Sequence, residues 1–300
     1  MKKYGYIIVI LGLLLFNGCR KQEPVPKVNQ HFIITAEPYL PVMKQEVDQY
    51  LSLYPKVKFD VKESTTREAI VNLLNDSVKM IVIDRQFNEE EVQVAKQASI
   101  RFYEYVIAKD GIAIIVNKEN PVKKIIAESA KQIVASKIKD WKQIPESRKS
   151  GVIEFVLTER NSGMYELLQK ILQTGSKQLE PNVILKNQAE VIKYVSSNPN
   201  AIGFVSASLV INSKENIKVL PVVIKSKEGG ESEYLPGQQE IYASLYPFQY
   251  SLYLYNTEFK DGAGIGFSAF VLSNIGQTII QKASLVPASI PYRTIQLTTE

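Results

Sequence analysis

Residues 105–117, YVIAKDGIAIIVN, and 246–256, YPFQYSLYLYN, decide the fold of this chain. Both are long runs of β-branched and aromatic residues, the side chains that suit a pleated surface. The first is broken only at Asp110-Gly111. Around them, short β-rich runs alternate with amphipathic segments. HFIITA (31–36) leads into PVMKQEVDQYLSLYP (41–55), whose Val42, Val47, Tyr50, Leu51 and Tyr54 share one helical side that Pro55 ends. VKFDVKE (57–63) leads through Thr65, which opens a capping box with Glu68, into a second helix, and KMIVID (79–84) into FNEEEVQVAKQA (87–98). Strands regularly followed by helices predict an α/β fold with parallel strands and crossover helices.

Beyond the first long stretch, the pattern predicts a helix over 125–136, a strand at 151–157 and a helix opened by Ser162-Gly163. It continues with a helix over 189–197, a strand from 201, a strand VLPVVI (219–224), a polar loop (225–240) and one helix over 264–282. The chain past residue 30 exceeds the ~100–150 residues of a typical single core, so two lobes are expected. The two long β-stretches carry the backbone from one lobe to the other and back. Lobe I then comprises 31–110 plus 250–300 and lobe II 111–249, with mixed sheets flanked by helices and a cleft that closes by hinge motion.

Composition narrows the function. The chain has 300 residues, 45% of them hydrophobic and 22% charged, an ordinary globular mixture. One cysteine and one histidine argue against a disulfide scaffold, thiolate zinc clusters and imidazole-pair chemistry. The opening residues, MKKYGYIIVILGLLLFNGC, combine Lys2 and Lys3 with an apolar run from Ile7 to Phe16. That run is shorter than the roughly 20 residues of a membrane span and has signal-peptide proportions. Gly18 stands directly before Cys19, as a lipoprotein signal requires. The expectation is a signal peptide over 1–18, a lipid on Cys19 and a tether over 19–30, exported and anchored in the cell envelope. A plain secretory signal with an incidental cysteine is the alternative. Net charge is +5, two units of which belong to Lys2 and Lys3. The small remaining surplus does not suggest nucleic-acid binding, which needs a dense basic patch.

The segment 153–168, IEFVLTERNSGMYELL, holds the best candidate chemistry. A strand ends in a polar turn, and Ser162-Gly163 opens a helix whose first amides have no intrahelical acceptor. With Gly163 allowing close approach and Arg160 adding a guanidinium, the turn suits an oxyanion. Ser162 simply capping its own helix is the competing reading. Two more turns follow strands in the same way, at Ser64-Thr65-Thr66 and at Asp84-Arg85. Capping competes at Thr65, and a local ion pair at Asp84-Arg85. Ligands of parallel α/β sheets collect beyond the carboxyl ends of strands, where all three turns lie.

Six segments carry a family resemblance: DGIAIIVNKENPV, KDWKQI, NSGMYELL, NAIGFVSASLV, YPFQYSLYLY and FSAFVLSNIGQTIIQKASLVP. In order and spacing the chain resembles the phosphate-binding (PstS-type) substrate-binding proteins of ABC transporters. The resemblance implies the type II periplasmic-binding-protein fold, no cofactor, and a monomer that delivers phosphate or a related oxyanion to permease subunits. Together with the turns, it puts Ser162 and the amides of Gly163 and Met164 on the anion from one lobe, with Arg160, displaced from the family's arginine position, beside them. Thr65, Thr66 and Arg85 answer from the other, with Asp84 accepting from a protonated phosphate oxygen. The chain departs from the family where Thr35-Ala36-Glu37-Pro38 replaces a Gly-Ser turn, putting a carboxylate beside the anion. Met164 stands for a threonine, Thr158 for the usual arginine, and Tyr250-Ser251 for Arg-Pro.

Two other classes compete. One keeps the fold as an envelope sensor or interaction module that has lost phosphate or binds another solute, which the altered first turn and the 16 tyrosines would suit. The other is an enzyme. Arg-Asn-Ser-Gly-Met does not match the Gly-x-Ser-x-Gly nucleophile elbow, His31 borders the tether, and no carboxylate pair is set apart by spacing. The expectation is a binding protein without catalysis.

Overall fold

A computed structural model describes residues 31–145, 147–171, 178–226, 229–258 and 262–289. The expected leader, Cys19 and tether lie outside the described residues.

The chain begins with β1 (His31–Ala36), α1 (Leu40–Leu53), β2 (Phe59–Ser64), α2 (Thr66–Leu74), β3 (Met80–Ile83), α3 (Glu89–Gln97) and the long β4 (Tyr103–Asn117). Next come β5 (Ile125–Ile126), α4 (Ala127–Val134), β6 (Glu154–Thr158), α5 (Gly163–Ile171), β7 (Val183–Leu185), α6 (Gln188–Ser197), β8 (Ala201–Ser206) and α7 (Ala207–Val210). The last part holds β9 (Ile217–Val219), β10 (Val222–Lys225), β11 (Glu231–Tyr234), α8 (Gln238–Tyr242), β12 (Gln249–Asn256), α9 (Ala263–Val271), α10 (Asn274–Lys282) and β13 (Val286–Pro287).

One mixed sheet runs through the molecule in the order β2-β1-β3-β12-β4-β8-β6-β7. At one end β2, β1 and β3 are parallel, and at the other β8, β6 and β7 are parallel. Strand β4 joins the two ends. Its first part pairs antiparallel with β12 up to Gly111, and from Ile112 onward it pairs with β8. The break at Asp110-Gly111 is therefore where β4 changes partner. Residues 112–116, hydrophobic at every position, are fully buried, as a strand covered on both faces requires. A small second sheet, in the order β11-β10-β5, lies apart from this path.

Helix starts follow local chemistry. Thr65 accepts from the Glu68 amide, and Asn88 and Glu91 form a reciprocal capping box. Tyr50 on α1 packs edge-on to Phe267 of α9 at 5.4 Å between ring centres, fastening α1 over the sheet.

Several elements differ from the sequence expectation. The helix expected over 125–136 begins with the short strand β5. VLPVVI divides at Pro221 into β9, which pairs with β4, and β10, which pairs with β5. Proline has no N–H for a ladder, so one continuous strand is disfavoured there. The polar loop over 225–240 contains β11 and the start of α8. The single helix over 264–282 is two helices bent by 60°, with Ser273 capping the second. A Cβ on Gly276 would lie 2.5 Å from the Phe270 carbonyl oxygen, so this bend requires a glycine. Among the described residues no single helix is long and apolar enough to cross a membrane.

Beside the β4 switch lies a buried polar network. Asp110 accepts from the Gly111 amide (2.7 Å), from the Ser208 amide (3.2 Å) and from the Ser208 hydroxyl (2.7 Å). The hydroxyls of Tyr39 and Tyr250 are 2.8 Å apart, and Tyr250 is 2.8 Å from the Ser206 hydroxyl. Burial pushes the Asp110 carboxyl up to about 6 despite these donors. Its ionised form is thus disfavoured in the fold, and stability drains as pH rises from the ordinary aspartate range through 6. Asp110→Ala is expected to lower unfolding stability by about 2–4 kcal/mol at neutral pH, because the amide of Ser208 and nearby hydroxyls lose a buried acceptor. Urea denaturation checks this; an unchanged midpoint would remove the structural role of the network.

Candidate functional site

Parallel strands end in the same direction, so their following turns gather on one side. The residues after β1, β2 and β3 (Glu37, Thr65 and Asp84) face those after β6 and β7 (Glu159 and Lys186) across a cleft of about 760 Å³. Three helices, α2, α5 and α6, begin at this cleft with Thr66, Gly163 and Gln188 in its wall. Helix starts carry free N–H groups and the positive end of the backbone dipole, which favours an oxyanion.

Asp84 lines the cleft from the end of β3. It is 2% exposed and accepts from the Thr66 hydroxyl at 2.7 Å. Burial raises its carboxyl above the usual aspartate range; the Thr66 bond and the charge on Arg85 oppose that rise. Its oxygens rest against the backbone at Gly163, where an added Cβ would meet Asp84 Oδ1 at 1.8 Å. The glycine at the start of α5 thus lets a carboxylate from the β3 end reach across to the other half of the sheet.

Other contacts also cross the cleft. The Arg67 amide donates to the Asn161 carbonyl at 3.3 Å, and Glu37 accepts from the Gln188 amide at 3.3 Å. Glu37 is half-buried, and burial is the main cause raising its carboxyl, offset by the amides of Gln188 and Ala189. Gln188 Oε1 in turn accepts from the Ser206 amide at 2.6 Å, linking the cleft to the network around Tyr250.

The residues expected from sequence fall into two groups. Thr65, Thr66, Asp84, Ser162 and Gly163 all line the cleft. Two of them also show the local role that competed with ligand binding. Thr65 caps α2, and Ser162 Oγ accepts from the Tyr165 amide at 3.2 Å while lying 2.7 Å from the Glu159 carbonyl. The side chains of Arg85, Arg160 and Met164 are placed elsewhere. The Arg85 guanidinium is 8% exposed, forked onto Glu91 at 2.7 and 2.8 Å, with Nε against the Glu166 carboxylate. Two buried or half-buried acids thus consume its donors, and it ties the β3 end to α5 instead of facing the cleft. Arg160 is exposed on its turn and is not part of the lining, where Glu159 and Asn161 stand on either side. The Met164 side chain is fully buried in the core, while its amide, the group expected to meet an anion, stays in the first turn of α5.

Sequence reading missed the start of α6. Lys186, Asn187 and Gln188 all line the cleft. The signal was present as Asn187 with Glu190 three residues on; Asn187 accepts from the Glu190 amide at 2.9 Å. Among the described residues no group of three or more His, Cys, Asp or Glu side chains is set to hold a metal ion.

Residues 22–274 match the PBP superfamily domain. The chain is 26% identical over 293 residues to the phosphate-binding protein PstS of Borreliella burgdorferi, covering 94% of this chain and 97% of that one. Among solved structures, a putative phosphate ABC transporter substrate-binding protein from Clostridium perfringens, with bound phosphate, superposes with a TM-score of 0.73 at 25% identity. The match covers 87% of this chain and 100% of that one. An ABC-type phosphate transport receptor from Vibrio cholerae shares the fold with a TM-score of 0.67 at 19% identity, over 86% of this chain and 99% of that one.

Proposed function

Because the chain belongs to the PBP superfamily, we propose that it is an extracytoplasmic solute-binding protein that takes phosphate into this cleft and delivers it to an ABC permease. The observation that carries the reading is the meeting of three helix starts around Asp84 and Thr66 in a cleft whose relatives include phosphate-binding proteins. The amides opening α2 and α5 supply donors to an oxyanion, joined by the hydroxyls of Thr66 and Ser162 when these turn from Asp84 and the Glu159 carbonyl. Asp84 supplies an acceptor, which suits an anion bearing a proton and repels sulfate, which has none at neutral pH. Arg160 and Arg85 are outside this ligand set. The protein acts by binding alone and as a monomer.

Residues 31–110 with 250–300 form one lobe in this reading, and 111–249 the other. Strands β4 and β12 connect them, so the contacts of Asp84 with Gly163 and of Arg85 with Glu166 hold a closed arrangement that opens at Asp110-Gly111 to admit ligand. A lipid on Cys19 tethers the protein to the outer side of a bacterial membrane.

Calorimetric titration of the full chain in mild detergent with phosphate, and with sulfate as control, tests the function. Phosphate is expected to bind with about micromolar affinity and sulfate to give no heat. No heat and no thermal stabilisation at millimolar phosphate would refute phosphate capture. One feature favours a second reading, in which the same cleft serves another solute: five acids but only two bases line it.

A further inference from the structure

The acids in the cleft are Glu37, Glu63, Glu68, Asp84 and Glu159, set against Arg67 and Lys186. Both bases are exposed, whereas Asp84 is buried and Glu37 half-buried. Glu37 stands where the chain leaves β1, and its carboxylate is held against the start of α6 by the amides of Gln188 and Ala189. An anion entering between α2, α5 and α6 therefore meets two carboxylates with limited access to water. Each favours an anion that can offer it an O–H donor, and a ligand lone pair facing either one costs repulsion at short range in a poorly solvated site.

The protonation states of phosphate differ in that respect. Dihydrogen phosphate carries one charge and two O–H donors; hydrogen phosphate carries two charges and one donor. One acceptor is enough to reject sulfate, but two acceptors distinguish the two phosphate species. We propose that Glu37 is a specificity-determining residue that makes this cleft prefer dihydrogen phosphate over hydrogen phosphate. The inference rests on the phosphate reading given above and adds to it the identity of the bound species.

The surroundings of Glu37 support it. Glu63 at the end of β2 and Asp84 beyond β3 both face Glu37 and, after burial, add to the rise of its carboxyl. Glu215, beyond α7, lines an adjoining depression together with Glu37 and Glu63. Arg67 and Lys186 are the bases on this wall, and neither makes an ion pair with Glu37 among the described residues. Its partners are the neutral amides of Gln188 and Ala189, with no nearby cation to cancel its charge, so its remaining lone pairs favour an O–H donor from the ligand.

The test is calorimetric titration of the full chain in mild detergent with inorganic phosphate from pH 6 to 9, beside Glu37→Gln and Glu37→Asp. Affinity of the unaltered protein is expected to fall about tenfold per pH unit above neutrality, following the loss of dihydrogen phosphate. Glu37→Gln removes the charge and should flatten that fall, binding about tenfold more tightly at pH 8.5 than the unaltered protein. Glu37→Asp keeps the charge and should keep the slope. A flat profile in the unaltered protein, or the same steep profile in Glu37→Gln, would overturn the inference and leave phosphate binding intact. No binding by any of the three at any pH would overturn both.

Discussion

Replacing Gly163 by alanine is expected to weaken phosphate binding by about a hundredfold or more. The new Cβ would stand 1.8 Å from Asp84 Oδ1 and 2.2 Å from its Cγ, far inside contact distance. Asp84 has little room to yield, since it is 2% exposed and already bonded to Thr66. The cheapest escape is for α5 to move away from the β3 end, which separates the helix starts that an anion needs together. Calorimetry on Gly163→Ala reads the loss. Trimming the obstacle in the double variant Asp84→Gly with Gly163→Ala should let the cleft close again, seen as a more compact scattering profile with phosphate present. Wild-type affinity in Gly163→Ala would show that this contact plays no part in closing.

The second large effect is a gain in stability. Glu46 on α1 is 0% exposed, and neither carboxylate oxygen has a hydrogen-bond partner among the described residues. Val42, Met43, Val47 and Tyr50 surround it along the buried side of the helix. Burial alone pushes its carboxyl up to about 9 from 4.5. The folded-state value is raised, so the stability linked to this proton is complete below pH 4.5 and is lost as pH rises towards 9. Each pH unit in that window costs about 1.4 kcal/mol. Methionine matches glutamate in length and carries no charge. Glu46→Met is therefore expected to raise Tm at pH 7.5 by on the order of 5–10 °C and to flatten its pH dependence. Thermal melts from pH 5 to 9 check this. A lower Tm across that range would mean that Glu46 forms a compensated contact in solution.

Most of the fold was legible because it depends on local pattern. HFIITA, KMIVID and AIGFVSASLV all contain strands, and the capping residue Thr65 opens a helix as its spacing with Glu68 predicts. The start of the helix expected over 125–136 was misread because a nonlocal partner decided the outcome. Val222 and Val223 pair with Ile125 and Ile126, nearly a hundred residues away, and that pairing turned the start of an expected helix into a strand. Nothing in the composition of residues 125–136 announces it.

The cleft divides in the same way. Its helix-start turns could be found from sequence, because the residues that cap a helix act within three or four positions of one another. Which side chains face a ligand depends on competition among neighbours brought in from other elements. Arg160 reads as an anion clamp but is exposed on its turn. Arg85 reads as another, yet Glu166 on α5 and Glu91 on α3 take up its guanidinium. Glu37 is conspicuous in sequence as a carboxylate in the first turn, but its anchorage on α6, 151 positions along the chain, exists only once the sheet has brought the ends of β1 and β7 together. Sequence alone determined most of the places where strands end and helices begin, because hydrogen bonding and side-chain shape act over a few residues. The tertiary structure decided which charges meet across the cleft, since a buried charge is placed by the partner that offsets its desolvation, and that partner is rarely a neighbour in the chain.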